Sequence, residues 1–152
     1  MSEMQISISI PADDDGYILL QCEHCGEYFK LLSGDIKSEE ILEIICPACG
    51  LASENYLTQD VIKLAMNMVE NKVNDLLHDS IKRMERNTKN SMFEIKVRKN
   101  FEHKSEEPIR AGIEAMEVVT FPCCHKSAKV KPLLKFTGCY CPCCGVKNYE
   151  IN

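Results

Sequence analysis

Cys22-Glu23-His24-Cys25-Gly26 and Cys46-Pro47-Ala48-Cys49-Gly50, with twenty residues between Cys25 and Cys46, are the stretches whose reading decides the fold. A gap of two residues lets both sulfurs of a tight turn point at one ion. A glycine after the second cysteine relieves the strain of that turn, and backbone amides then reach the thiolates. Two such turns supply four thiolates and complete a tetrahedron with no open position, the mark of a structural metal site. The first expected ligand set is therefore Cys22, Cys25, Cys46 and Cys49.

Working outward, Tyr17 to Gln21 and Tyr28 to Leu32 read as strands on either side of the first turn, and Ile41 to Ile45 as a lead into the second. Gln5 to Pro11 alternates Ile6, Ile8 and Ile10 with Ser7 and Ser9, a strand pattern. Asp13-Asp14-Asp15-Gly16 reads as a turn. Thr58 is a candidate N-cap. From Val61 to Arg86 there is no Gly or Pro, and apolar residues recur three or four apart, which predicts an amphipathic helix of about seven turns. Its apolar positions include Leu64, Met68, Val69, Val73, Leu76, Leu77 and Met84, a stripe that either packs within the chain or pairs with a second copy. Phe93 to Arg98 alternates like a strand, and the charged run from Asn100 to Pro108 reads as a loop.

A weaker copy of the opening pattern follows. Cys141-Pro142-Cys143-Cys144-Gly145 repeats Cys46 to Gly50, and Cys124 to Val130 aligns with Cys25 to Leu31. In that alignment Phe121 falls where Cys22 stood, so the fourth ligand comes from among Cys123, Cys139, His125 and Cys143. The expected second set is Cys124, Cys139, Cys141 and Cys144, with Cys123 as the alternative to Cys139; surplus thiols would be small buried hydrophobes. Glu117 to Phe121, Lys126 to Val130 and Val146 to Ile151 read as short strands around these cysteines. The fold class expected is α+β: two small zinc-bearing hairpin modules joined by one long amphipathic helix and a short β segment. The expected domains are 1–57, 58–90 and 91–152.

The ten cysteines are unusual for 152 residues. The first residues lack a basic, apolar leader pattern, and no apolar run approaches a membrane span, so a reducing, cytoplasmic setting is expected. Clustered cysteines then read as ligands for two zinc ions per chain. Iron in a rubredoxin-like site is the competing metal, and nothing in the sequence suggests an electron-transfer partner for it. Charge is uneven. Residues 1–60 hold two basic side chains, Lys30 and Lys37, against twelve acidic ones, whereas residues 61–99 hold nine basic and five acidic. The formal net charge of −5 would fall to about −9 with two zinc ions on eight thiolates, which disfavours undirected binding to phosphates or to anionic membranes. No Ser/His/Asp order, phosphate loop or HExxH motif suggests an enzyme. His24, His78 and His103 read as solvated.

Cys22, Cys25, Cys46, Pro47, Cys49 and Gly50 resemble the transcription factor IIB-type zinc ribbon over about thirty residues, and Cys124 to Gly145 is a degenerate second match. The resemblance implies zinc, a non-catalytic role and recognition of another macromolecule. A protein partner is the first expectation, met by an adaptor or regulatory protein. The second is nucleic acid, met by the basic segment 82–99 through Arg83, Arg86, Lys96 and Arg98.

Overall fold

A computed structural model describes residues 5–89, 92, 96, 101–110, 112 and 115–151. It is α+β, with antiparallel hairpins and one long helix. The chain forms two compact units that do not follow sequence order. One combines Ser9–Gln59 with Ile109–Asn152, and the other combines Met1–Ile8 with Asp60–Pro108. The division expected from sequence order differs because the two cysteine-bearing modules share one unit, and the helix with its following segment forms the other.

In the first unit, β1 (Tyr17–Gln21) and β2 (Tyr28–Leu32) form a hairpin, and β3 (Glu117–Thr120) and β4 (Ser127–Val130) form its counterpart. β2 pairs antiparallel with β4, giving one four-stranded sheet in the order β1-β2-β4-β3. The register puts Lys30 opposite Lys129. These two lysines are equivalent in the internal repeat, so the modules meet about an approximate two-fold axis, as subunits of a symmetric dimer would. Reciprocal bonds repeat the symmetry elsewhere: Ile45 N–H donates to Pro142 O, and Tyr140 N–H donates to Pro47 O, both at 2.9 Å. A side chain on Gly50 would strike the Tyr140 ring at 2.8 Å, and one on Gly145 would strike Ile45 at 2.7 Å. Each of these glycines thus makes room for the other module.

The core beneath the sheet is the fully buried set Phe29, Leu31, Val119, Phe121, Ala128 and Val130, joined by Cys22, Cys46, Cys139 and Cys141. Phe29 meets Tyr56 edge to face at 5.6 Å, and the Tyr56 hydroxyl donates to Ile44 O at 2.5 Å, tying the second turn to the core. A short helix follows each hairpin: α1 (Ser33–Ile36) after β2, and α3 (Pro132–Thr137) after β4. Pro132 presets the helical φ of α3. β5 (Cys139–Tyr140) and β6 (Lys147–Asn148) close the second module. In the first, the corresponding pairing is a single bridge, Ile45 to Ala52, so Ile41 to Ile45 is not a strand.

The second unit is built on α2 (Gln59–Thr88), a 30-residue helix. It lacks Gly and Pro throughout, which is why it runs unbroken. The charged segment 101–108 is a loop, as expected, and it is strapped to the helix. Asn71 Nδ2 donates to Lys104 O at 2.9 Å, and Lys104 N–H donates back to Asn71 Oδ1 at 2.7 Å. Asn67 donates to Ser105 O, His103 reaches Asp75 at 2.8 Å, and Phe101 meets His78 edge to face. His78 and His103 are exposed as expected, yet both hold the strap. Ile6, Ile8 and Ile10 are half-buried while Gln5, Ser7 and Ser9 are exposed, but Gln5 to Pro11 is not a strand. Alternation marks a face, whereas a strand also needs a partner's hydrogen bonds. The strand read at Phe93 to Arg98 falls largely outside the described residues. No helix among the described residues is long and apolar enough to cross a membrane.

Candidate metal centres

Four turns of one design carry the thiols. In the first, Cys22 N–H donates to Glu27 O and Gly26 N–H to Cys22 O, both at 2.9 Å. In the second, Cys46 N–H donates to Leu51 O at 3.0 Å and Gly50 N–H to Cys46 O at 2.9 Å. The fourth repeats this at Cys141 with Val146 and Gly145. The third repeats it without its leading cysteine: Phe121 N–H donates to Lys126 O and His125 N–H to Phe121 O. His125 sits at φ +57°, a left-handed conformation that the other three turns assign to Gly26, Gly50 and Gly145. The sequence alignment that put Phe121 in the place of Cys22 therefore describes the backbone as well. Phe121 is fully buried, a core residue where the first module has a thiol.

Cys22, Cys25, Cys46 and Cys49 have their Sγ atoms all within 4.8 Å of one another. Cys22 and Cys49 are 3.8 Å apart, and Cys25 and Cys46 are 3.6 Å apart. A zinc ion 2.3 Å from four sulfurs places them about 3.8 Å from each other, so this set fits the ion. His24 stays exposed outside the shell, with Nε2 3.2 Å from Ala52 O.

The second group is Cys123, Cys124, Cys141 and Cys144, again within 4.8 Å. Cys124 and Cys141 lie 3.4 Å apart, and Cys123 and Cys144 lie 3.2 Å apart. Cys123, read as the alternative, thus replaces Cys139. The neighbouring position compensates for the missing thiol at Phe121, and Asn148 Nδ2 donates to Cys123 Sγ at 3.7 Å, the kind of outer contact that orients a ligand. Cys139 lies outside the group, fully buried in the core, and burial with nearby Cys141 pushes its thiol up to about 11. It behaves as a small hydrophobe.

Each group can hold a zinc ion, and the chemistry of the shells favours a cation. Burial pushes the Cys46 thiol up strongly. Burial and the adjoining Cys144 and Cys141 push Cys123 up to about 12. Contact with Cys143 and burial raise Cys141. Cys46, Cys123 and Cys141 therefore retain their protons until a cation displaces them, while, against burial, backbone N–H groups and neighbouring thiols lower Cys22 and Cys144, so metal uptake releases protons. Elemental analysis of protein purified without chelator is expected to give about two zinc ions per chain. Cys123→Ser lowers this to about one, while Cys139→Ala keeps both. Zinc loss in Cys139→Ala with retention in Cys123→Ser would reverse the assignment.

Comparison with protein-family models, curated proteins and solved structures returned no match.

Proposed function

We propose that this chain is a non-catalytic, zinc-dependent adaptor or regulatory protein, that its two centres are zinc ribbons of the transcription factor IIB type, and that it recognises another protein. Closed four-thiolate shells leave a metal no position for substrate, which suits a structural role. The observation that carries the reading is an open groove of about 780 Å³ beside the first centre. Ile36, Ile41, Leu42 and Ile44 give it an apolar wall, and Glu23, Glu43 and Glu54 an acidic one. Leu42 is 93% exposed. The same groove includes His24 from the first turn, so its shape depends on the metal site. Apolar anchors with an acidic rim fit a peptide segment carrying aliphatic residues flanked by Lys or Arg.

Selection from a displayed random-peptide library is expected to enrich that pattern. The selected peptides should bind Leu42→Asp at least tenfold more weakly, equivalent to about 1.4 kcal/mol. They should also weaken with added salt. Acidic or patternless selected peptides, or full binding to Leu42→Asp, would remove the groove as the recognition surface.

The second reading is a nucleic-acid-binding regulator. Arg83 and Arg86 are exposed on the last turns of α2 and Lys96 is exposed beyond it, while Arg98 lies outside the described residues. The net charge of −5 weighs against it. A nanomolar Kd for duplex DNA or for RNA near physiological salt would place this reading first.

A further inference from the structure

The apolar face of α2 is exposed among the described residues. Met66, Val69, Val73, Leu76, Leu77 and Met84 are each 42–66% exposed. The strap lies elsewhere: it binds Asn67, Asn71, Asp75 and His78, a stripe about 160° around the helix from the apolar one. The strap side, which carries Asn67 and Asn71 together with Leu64 and Met68, is thus the covered one, and a run of large aliphatic side chains about 27 Å long faces outward. Leu64 and Met68, expected in this face from spacing alone, are half-buried on the strap side of the helix, and Met66 belongs to the exposed face instead.

We propose that this face binds the same face of a second copy of the chain, with the two helices antiparallel. The spacing is that of a coiled-coil seam, with Met66, Val73 and Ser80 at one core position and Val69, Leu76 and Arg83 at the other. Antiparallel pairing centred between Val73 and Leu76 puts each of them against the other's partner copy. It also faces Val69 with Ser80 and Met66 with the aliphatic stem of Arg83. Parallel pairing would instead stack Arg83 on Arg83 and Ser80 on Ser80 in the seam. The flanks select the same arrangement. Lys72 and Asp79 occupy equivalent flanking positions one heptad apart, so antiparallel helices set Lys72 of each copy beside Asp79 of the other. Parallel helices offer these two residues Leu77 and Met84. The dimer would be independent of the groove, and where the groove also binds a peptide, it would make the adaptor bivalent.

Sedimentation equilibrium on the zinc-loaded protein across micromolar concentrations tests this. The wild type is expected at twice the chain mass. Val73→Asp with Leu76→Asp should give a monomer that keeps its zinc. Lys72→Asp and Asp79→Lys should each raise the dimer Kd about tenfold, since each creates two like-charge pairs, and the combined swap should restore it to within about threefold. A wild-type mass of one chain overturns the proposal. Zinc loss in the double aspartate variant overturns it too, by placing the stripe within its own chain. A dimer whose charge swap is not rescued overturns the antiparallel arrangement.

Discussion

Cys46→Ser is expected to release the first zinc and, with it, weaken the second site at least tenfold. A structural zinc in a small module contributes about 10–16 kcal/mol of apparent folding energy, as large as the whole stability of a typical domain. Cys46 is fully buried and its Sγ lies 3.6 Å from that of Cys25, so serine there removes a ligand from the middle of the shell. The loss then spreads because the modules are not separate. β2 is hydrogen-bonded to β4, the Phe29 and Phe121 rings belong to one core, and Ile45, adjacent to Cys46, donates to Pro142 inside the second set of turns. Titration with a competing chelator reads both affinities. Second-site affinity equal to that of the wild type would show two independent modules and contradict a shared core.

The first centre was legible because its four ligands sit in two complete turns, each closed by glycine. The long helix was legible because nothing between Gln59 and Thr88 interrupts it. The second centre was legible only in part. Once Phe121 takes the leading position, spacing allows several neighbours to supply the fourth sulfur. The choice of Cys123 over Cys139 rests on where β5 carries Cys139, which is into the core. The docking of the modules left a weaker trace. Repetition showed two related halves, but the pairing of Lys30 with Lys129 is a tertiary event that no local pattern encodes. The attachment of the 101–108 loop to the helix is hidden for a related reason. The loop's charged residues look solvated in sequence, yet its backbone is held by the side chains of Asn67 and Asn71, polar helix positions that match no hydrophobic period.

Asp13→Asn is expected to destabilise the sheet-bearing unit by about 3 kcal/mol, the lower end of the cost of removing one partner from a buried ion pair. The two-fold packing creates the problem that Asp13 solves. Lys30 and Lys129 face each other across β2 and β4, with side chains only 6% and 12% exposed. Like charges directly opposite on a sheet repel. Asp13 Oδ2 accepts from both ammonium groups at 2.9 Å, and Asp15 takes a further bond from Lys129 at 2.6 Å. Burial works against the Asp13 carboxylate, but its bonds to Lys129 and Lys30 and the backbone N–H of Tyr17 outweigh that and hold it well below the usual carboxylate range. Because the folded value lies below the unfolded one, this stabilisation is fully present above about pH 4 and is lost only as pH falls through the depressed value. Asparagine keeps the shape and removes the charge, leaving two nearly buried lysines with Asp15, which is largely exposed, as the remaining counter-charge. Urea unfolding of the zinc-loaded protein at pH 7 reads the difference. Lys129→Met in the Asp13→Asn background should recover part of the loss by removing one of the opposed charges. A single variant as stable as the wild type, or a double variant worse than the single, would show that charge at the two-fold axis does not govern the packing of the modules.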